Sequence, residues 1–189
     1  MSDLTKDAEK SFIDSSHDRS AEIIHDAGLY RHLKCYKPGT GCMGFSITTW
    51  PGYLAISGDM GCYVFARIQD MFQFFRGDGI NGSYWAEKVQ AADKCDGLRE
   101  FDEDSAREWV ERQTKESGEE IDIDSVNYYD EIRDFIDSLP RHDAFADAWD
   151  NSFERYTFRY LWCCFAIVWA VREYDRLKKS YAATTEAKA

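Results

Sequence analysis

The chain has 189 residues, enough for one domain with a real core and tight for two. Apolar residues make up 44% and aromatics 15%, which excludes a disordered tail. Thirty-five acidic against 23 basic residues leave a net charge of −12, which argues against a general nucleic-acid binder or an anionic-membrane binder.

Residues 1 to 28 read as a polar helical lead-in anchored by Phe12, Ile13, Ile23 and Ile24, with Gly28 as its stop. Met1–Lys10 is polar and charged, unlike a signal peptide, and the six cysteines include no CxxC pair. Both point to reduced thiols in a cytosolic protein.

Leu29 to Phe75 organises the chain. Three alternating segments are separated by Lys37-Pro38-Gly39-Thr40-Gly41, Trp50-Pro51-Gly52 and Gly58-Asp59-Met60-Gly61. In the first, Tyr30, His32, Lys34 and Tyr36 share one face, and Arg31, Leu33 and Cys35 the other. The second groups Met43, Phe45 and Ile47; the third groups Leu54 and Ile56. Proline presets φ and glycine permits φ > 0 in these turns, so the register is well specified. From Cys62 the period changes, and Phe65, Ile68, Met71, Phe72 and Phe75 recur at helical spacing.

A second helix is expected from Ser83 to Lys94, with Ser83 as cap and Trp85 and Val89 inward. Asp102 to Lys115 reads as a helix carrying Trp109 and Val110, and Glu116 to Asp124 as a charged loop. Ser125 to Leu139 reads as a helix with Tyr128, Ile132, Phe135 and Ile136 on one side, ended by Pro140. A shorter helix then carries Phe145 and Trp149. Tyr160 to Val171 is twelve residues without a charge, too short for a membrane span and apolar all round, hence a buried core helix. Trp162, Phe165 and Val168 should be nearly fully buried there, and residues 181–189 should form a loose tail. The expected fold is a single α+β domain over 1–189. It has a three- to four-stranded antiparallel meander (29–76) packed on a helix-rich body (77–180) with a buried C-terminal helix.

The acidic excess is local. Residues 100–150 hold 18 acids and 5 bases, net −13, while the flanks together are close to neutral. Such a segment is either a solvated face or a docking surface for a basic partner. Asp130, Glu131, Asp134 and Asp137 fall in a row at helical steps, and Asp122 and Asp124 precede them. These six are the candidate partner-binding residues, the natural counterpart being a Lys/Arg groove shaped for nucleic acid.

Chemistry is less visible. His32, Cys35, Cys42 and Cys62 match no usual zinc spacing, and no metal or cofactor is assigned. No nucleophile elbow, P-loop or dinucleotide fingerprint occurs. Asp59, between glycines, reads as a turn or cap residue. With His32 it forms the alternative reading, an enzyme using an acid/base pair near the glycine-rich turn. A structural module dimerising through exposed aromatics is a third possibility. The aromatic and basic face of the first strand could stack bases, against the plainer reading of a solvated sheet face.

The block Leu29 to Arg76, above all Thr49-Trp50-Pro51-Gly52 and Ser57-Gly58-Asp59-Met60-Gly61, resembles a family of small acidic proteins encoded by phages and prophages. The resemblance covers a quarter of the chain and carries over no catalytic residues. It implies a setting in a bacterial host's cytoplasm and an inhibitor of host defence, of anti-CRISPR or anti-restriction type. Its partner would be a host protein with a basic nucleic-acid-binding surface, such as a CRISPR effector subunit, bound by a monomer or homodimer.

Overall fold

A computed structural model describes residues 3–117, 134 and 153–186. The chain divides into two compact units: unit 1 is Met1–Leu98 with Tyr156–Ala189, and unit 2 is Arg99–Arg155. The architecture is α+β, and unit 1 is built on a six-stranded antiparallel sheet in simple meander order.

Unit 1 begins with α1 (Asp3–Ser16), which buries Ala8 and Phe12, one turn apart. The strands are β1 (Ser20–Ala27), β2 (Tyr30–Tyr36), β3 (Phe45–Trp50), β4 (Tyr53–Gly58), β5 (Gly61–Ala66) and β6 (Val89–Ala91), with α2 (Met71–Phe75) and α3 (Gly82–Ala86) between the last two. In unit 2, β7 (Arg99–Phe101) leads into α4 (Glu103–Ser117), and β8 (Glu154–Tyr156) pairs with β7. The C-terminal helix α5 spans Phe158–Glu186.

The meander is longer than the alternation in 29–60 suggested, because three pieces expected as helix are strand. Ser20–Ala27 is not lead-in helix but the first strand. Ala27 pairs with Tyr30, so Gly28 and Leu29 make a two-residue hairpin turn, with Gly28 at φ 67°. A positive φ at the first turn position is what a type II′ hairpin needs. The adjacent isoleucines that looked helical straddle a bulge: Ile23 pairs with Leu33, and Ile24 is the extra residue, half exposed.

Gly61–Ala66 continues the meander, with Tyr63 and Phe65 buried and Cys62 exposed, while Ile68 lies exposed beyond the strand. Helix starts only at Met71, where Asp70 is the cap and accepts from the Phe72 amide at 3.0 Å. The expected Ser83–Lys94 helix is α3 followed by β6. Asn81, not Ser83, caps it, accepting from the Tyr84 amide at 3.2 Å. Pro38-Gly39 and Pro51-Gly52 both have the proline-then-positive-φ signature of a type II turn, with the glycines at 80° and 84°.

The inner face of the sheet carries Leu33, Phe45, Ile47, Leu54, Ile56 and Phe65, all buried. It packs with α1 and α2 around α5, in which Tyr160, Trp162, Cys164 and Ile167 are fully buried. Phe165 and Trp169 are only partly buried, so the helix is not enclosed on every side; they line a small groove of 180 Å³ beside Phe12 and Ile13 of α1. Nor does the loose tail expected over 181–189 begin at 181, since α5 runs to Glu186. No helix among the described residues is long and apolar enough to cross a membrane.

Two arginines are held in this core by different means. Arg31, on the inner face, forms a bidentate pair with Asp70 (2.7 and 3.1 Å) and stacks over Phe72 and Tyr174. Arg19 has no carboxylate partner among the described residues. Its guanidinium sits 5.1–6.0 Å from the ring centroids of Phe12, Phe45, Trp162 and Trp169 and donates to the Met43 carbonyl. Burial pushes its pKa down.

Candidate interaction surfaces

The six proposed partner-binding carboxylates fall mostly outside the described residues. Asp134 is helical and exposed; Asp122, Asp124, Asp130, Glu131 and Asp137 lie outside. So do the expected 125–139 helix, apart from Asp134, and the helix around Phe145 and Trp149. The unit boundary sharpens the charge argument all the same. Unit 2 contains 19 acids and 7 bases, net −12, and unit 1 contains 16 of each. The entire net charge belongs to unit 2.

Within unit 2, α4 begins where Asp102 accepts from the Ser105 amide (3.3 Å) and hydroxyl (2.9 Å). Trp109 and Val110 are buried, as their spacing predicts. On the solvent side, Asp104, Glu108 and Glu111 follow at four- and three-residue steps, all exposed. Arg155 is engaged locally: it bonds Glu100 at 2.8 Å and lies 3.7 Å from both Asp102 and Asp104. Its pKa is raised, chiefly by that bond to Glu100. Glu108 and Glu111 have no ion pair among the described residues. This exposed row is inconspicuous in the sequence because Arg107 falls within it and Arg112 and Lys115 follow it. Arg107, in fact, bonds Glu103 at 3.0 Å.

The open face of the unit 1 sheet is the second surface. Paired residues share a face, so the register sets His25, His32, Thr48, Ala55, Val64 and Ala91 in one row across all six strands. A parallel row runs through Lys34, Ser46, Ser57 and Cys62. At one end Trp50 and Tyr53 flank the Pro51-Gly52 turn and stack, with centroids 5.2 Å apart and planes at 12°. Tyr30, one strand over, is 56% exposed and Tyr53 39%. At the other end a cleft of about 360 Å³ is lined by Lys34, Tyr36, Thr40, Ser46, Ser57 and Asp59. Tyr30, His32, Lys34 and Tyr36 do share this face, and Arg31 points away from it. Trp50 and Tyr53 were missed as site residues, although a two-residue turn between them already placed both rings on the side of His32.

Asp59 and His32 do not come together. Asp59 sits in the β4–β5 turn and accepts from the Gly44 amide at 3.3 Å, tying the 37–44 loop to that turn. His32 bonds the Thr48 hydroxyl at 2.9 Å and does not line the cleft. Counting rise and strand spacing along the register separates them by roughly 16 Å, too far for one acid/base pair.

Cys35 faces the core while His32, three residues earlier, faces out, so the two cannot ligate one ion. No group of three or more metal-ligating side chains occurs among the described residues. Burial pushes the Cys35 and Cys164 thiols up to about 12 and Cys163 well above the ordinary value, which keeps all three protonated.

No family model matches the chain, and neither a curated protein nor a solved structure is significantly similar to it.

Proposed function

We propose that the chain is an inhibitor of anti-CRISPR type, acting in the cytoplasm of a bacterial host. It occupies a basic, nucleic-acid-binding surface of a defence complex by presenting a protein surface in place of phosphates. The observation that carries this reading is the partition of charge between a neutral unit 1 and a unit 2 of net −12. Gathering like charge in one unit costs repulsion that a counter-charged partner offsets. Asp104, Glu108 and Glu111 form an exposed row on α4, and Asp130, Glu131, Asp134 and Asp137 recur at helical steps in the sequence. A Lys/Arg groove that accepts regularly spaced anions is the surface such rows complement.

The test is infection of cells whose CRISPR complex targets the infecting phage. Expression of the chain should restore plaque formation. A variant with these seven acids changed to lysine should fail to, with the melting of its sheet unit unchanged. In binding assays with the effector, affinity should fall as salt rises, because screening acts over about 8–10 Å near physiological ionic strength. Full activity of the charge-reversed variant, or no rescue by the wild-type chain, overturns the reading.

A further inference from the structure

In a chain with 35 carboxylates, strands β2 to β6 contain none; the sheet's two are on the edge strand β1, Glu22 opposite Lys34 on the open face and Asp26 opposite Arg31 on the inner one. The poor strand propensity of Asp accounts for part of this on the buried side. It does not account for the open face, where polar and charged side chains are ordinarily welcome. That face instead offers aromatic rings, hydroxyls and small residues. Lys34 lies at one end, and at the other Arg67 immediately follows Ala66, the partner of Tyr53. Both cations are exposed, and neither forms an ion pair among the described residues.

We propose that the open face of the unit 1 sheet binds single-stranded nucleic acid. Unpaired bases present flat π-faces, and the stacked Trp50 and Tyr53 with neighbouring Tyr30 supply rings for them. Phosphates need cations and hydroxyl donors and are repelled by carboxylates. Lys34, Ser46, Ser57 and Thr40 around the cleft provide the former; the carboxylates near them are Asp59 at the cleft's rim and Glu22 opposite Lys34 on β1, and the ring end of the face carries none on its strands. Tyr30 and Lys34 are four residues apart on one strand, about 13 Å, so rings and cations suit a run of two or three nucleotides.

The net charge of −12 is not carried by the unit that holds this face: all of it belongs to unit 2, and unit 1 is neutral. Few phosphate contacts are available, so stacking carries most of the affinity and the salt dependence is shallow. A duplex, with its bases already stacked and paired, should bind far more weakly. Nothing here rests on the acidic unit.

The experiment is fluorescence anisotropy with the full-length chain and labelled twelve-nucleotide oligo-dT, oligo-U and a duplex control. Single strands should bind and the duplex should not. Trp50→Ala and Tyr53→Ala should each weaken binding about 5- to 150-fold, the range for loss of one stacked base. Lys34→Glu should weaken it about tenfold and flatten the salt slope. Reversal of Asp104, Glu108 and Glu111 to lysine should leave binding intact or tighten it while abolishing defence inhibition, which separates this inference from the proposed function. The idea is overturned by no single-strand binding at 100-fold molar excess of protein over the labelled strand. Wild-type binding by the Trp50→Ala and Tyr53→Ala variants, or a dimer that buries this face between two copies, would overturn it equally.

Discussion

The two faces of the unit 1 sheet come from the same strands, residue by residue in alternation, and differ in what they can lose. The inner face is held by packing. Phe65 is fully buried and meets Phe75 edge-on at 5.2 Å and Tyr160 at 6.5 Å. Its neighbour Val64 faces out, and its cross-strand partner is Ala55. Stability is therefore a property of one side of each strand, and the other side is free to be shaped by what it meets.

The strongest way to break that contrast is to exchange a single inner residue. Phe65→Ala should cost about 3–5 kcal/mol in urea unfolding, whereas Val64→Ala, one residue away, should cost under about 1 kcal/mol. Comparable losses for the two would mean that the open face is itself packed.

The polar part of the inner face is tested by Asp70→Asn, which leaves the Arg31 guanidinium without its counter-charge. A loss of about 2–3 kcal/mol is expected. The same pair predicts an acid limb. Hydrogen bonds from Arg31 hold the Asp70 carboxyl below its ordinary value. Its contribution is therefore complete above the unfolded-state pKa, near pH 4, and is lost as pH falls through the lower folded-state value. The slope of stability against pH below 4 should flatten in Asp70→Asn.

Gly58 probes the edge between the faces. A Cβ there would lie 2.2 Å from the Gly44 carbonyl oxygen, a backbone atom that cannot swing away. Gly58→Ala should cost about 1–3 kcal/mol and loosen the 37–44 loop over the cleft, read by hydrogen exchange at Gly44. Smallest of all, Trp50→Ala should change stability by less than about 1 kcal/mol, while any function of the open face should respond strongly.

Much of this was legible in the chain, and the failures have a common cause. Turns that carry Pro-Gly or GDMG chemistry were placed correctly, because their backbone demands are local. Cys62–Ala66 was mistaken for the start of a helix because Phe65 and Ile68 are three apart. Yet Tyr63 and Phe65 are two apart, and the neighbouring strand decided which spacing counted. Ile23-Ile24 misled for a related reason: a bulge sets two successive apolar residues within a strand, which alternation alone cannot represent. For the candidate surfaces, composition located the acid excess, but the strand register was needed to gather Tyr30, Trp50, Tyr53 and Lys34 from three strands onto one side.

The order of unit 1 along the chain has a consequence in time. Its sheet is complete by Ala91, and α5, which covers the inner face, begins only at Phe158; the Thr157 amide bonds the Leu98 carbonyl at 3.0 Å where the two parts meet. At a synthesis rate of about 5–20 residues per second, the interval from Ala91 to Tyr174 lasts roughly 4–17 s. Throughout it, Leu33, Ile47, Leu54 and Phe65 have no helix α5 to rest against. A growing polypeptide with that much naked β-surface is a natural client for a ribosome-associated chaperone. The yield of the protein in the cell should then depend on how fast the ribosome reads the unit 2 codons.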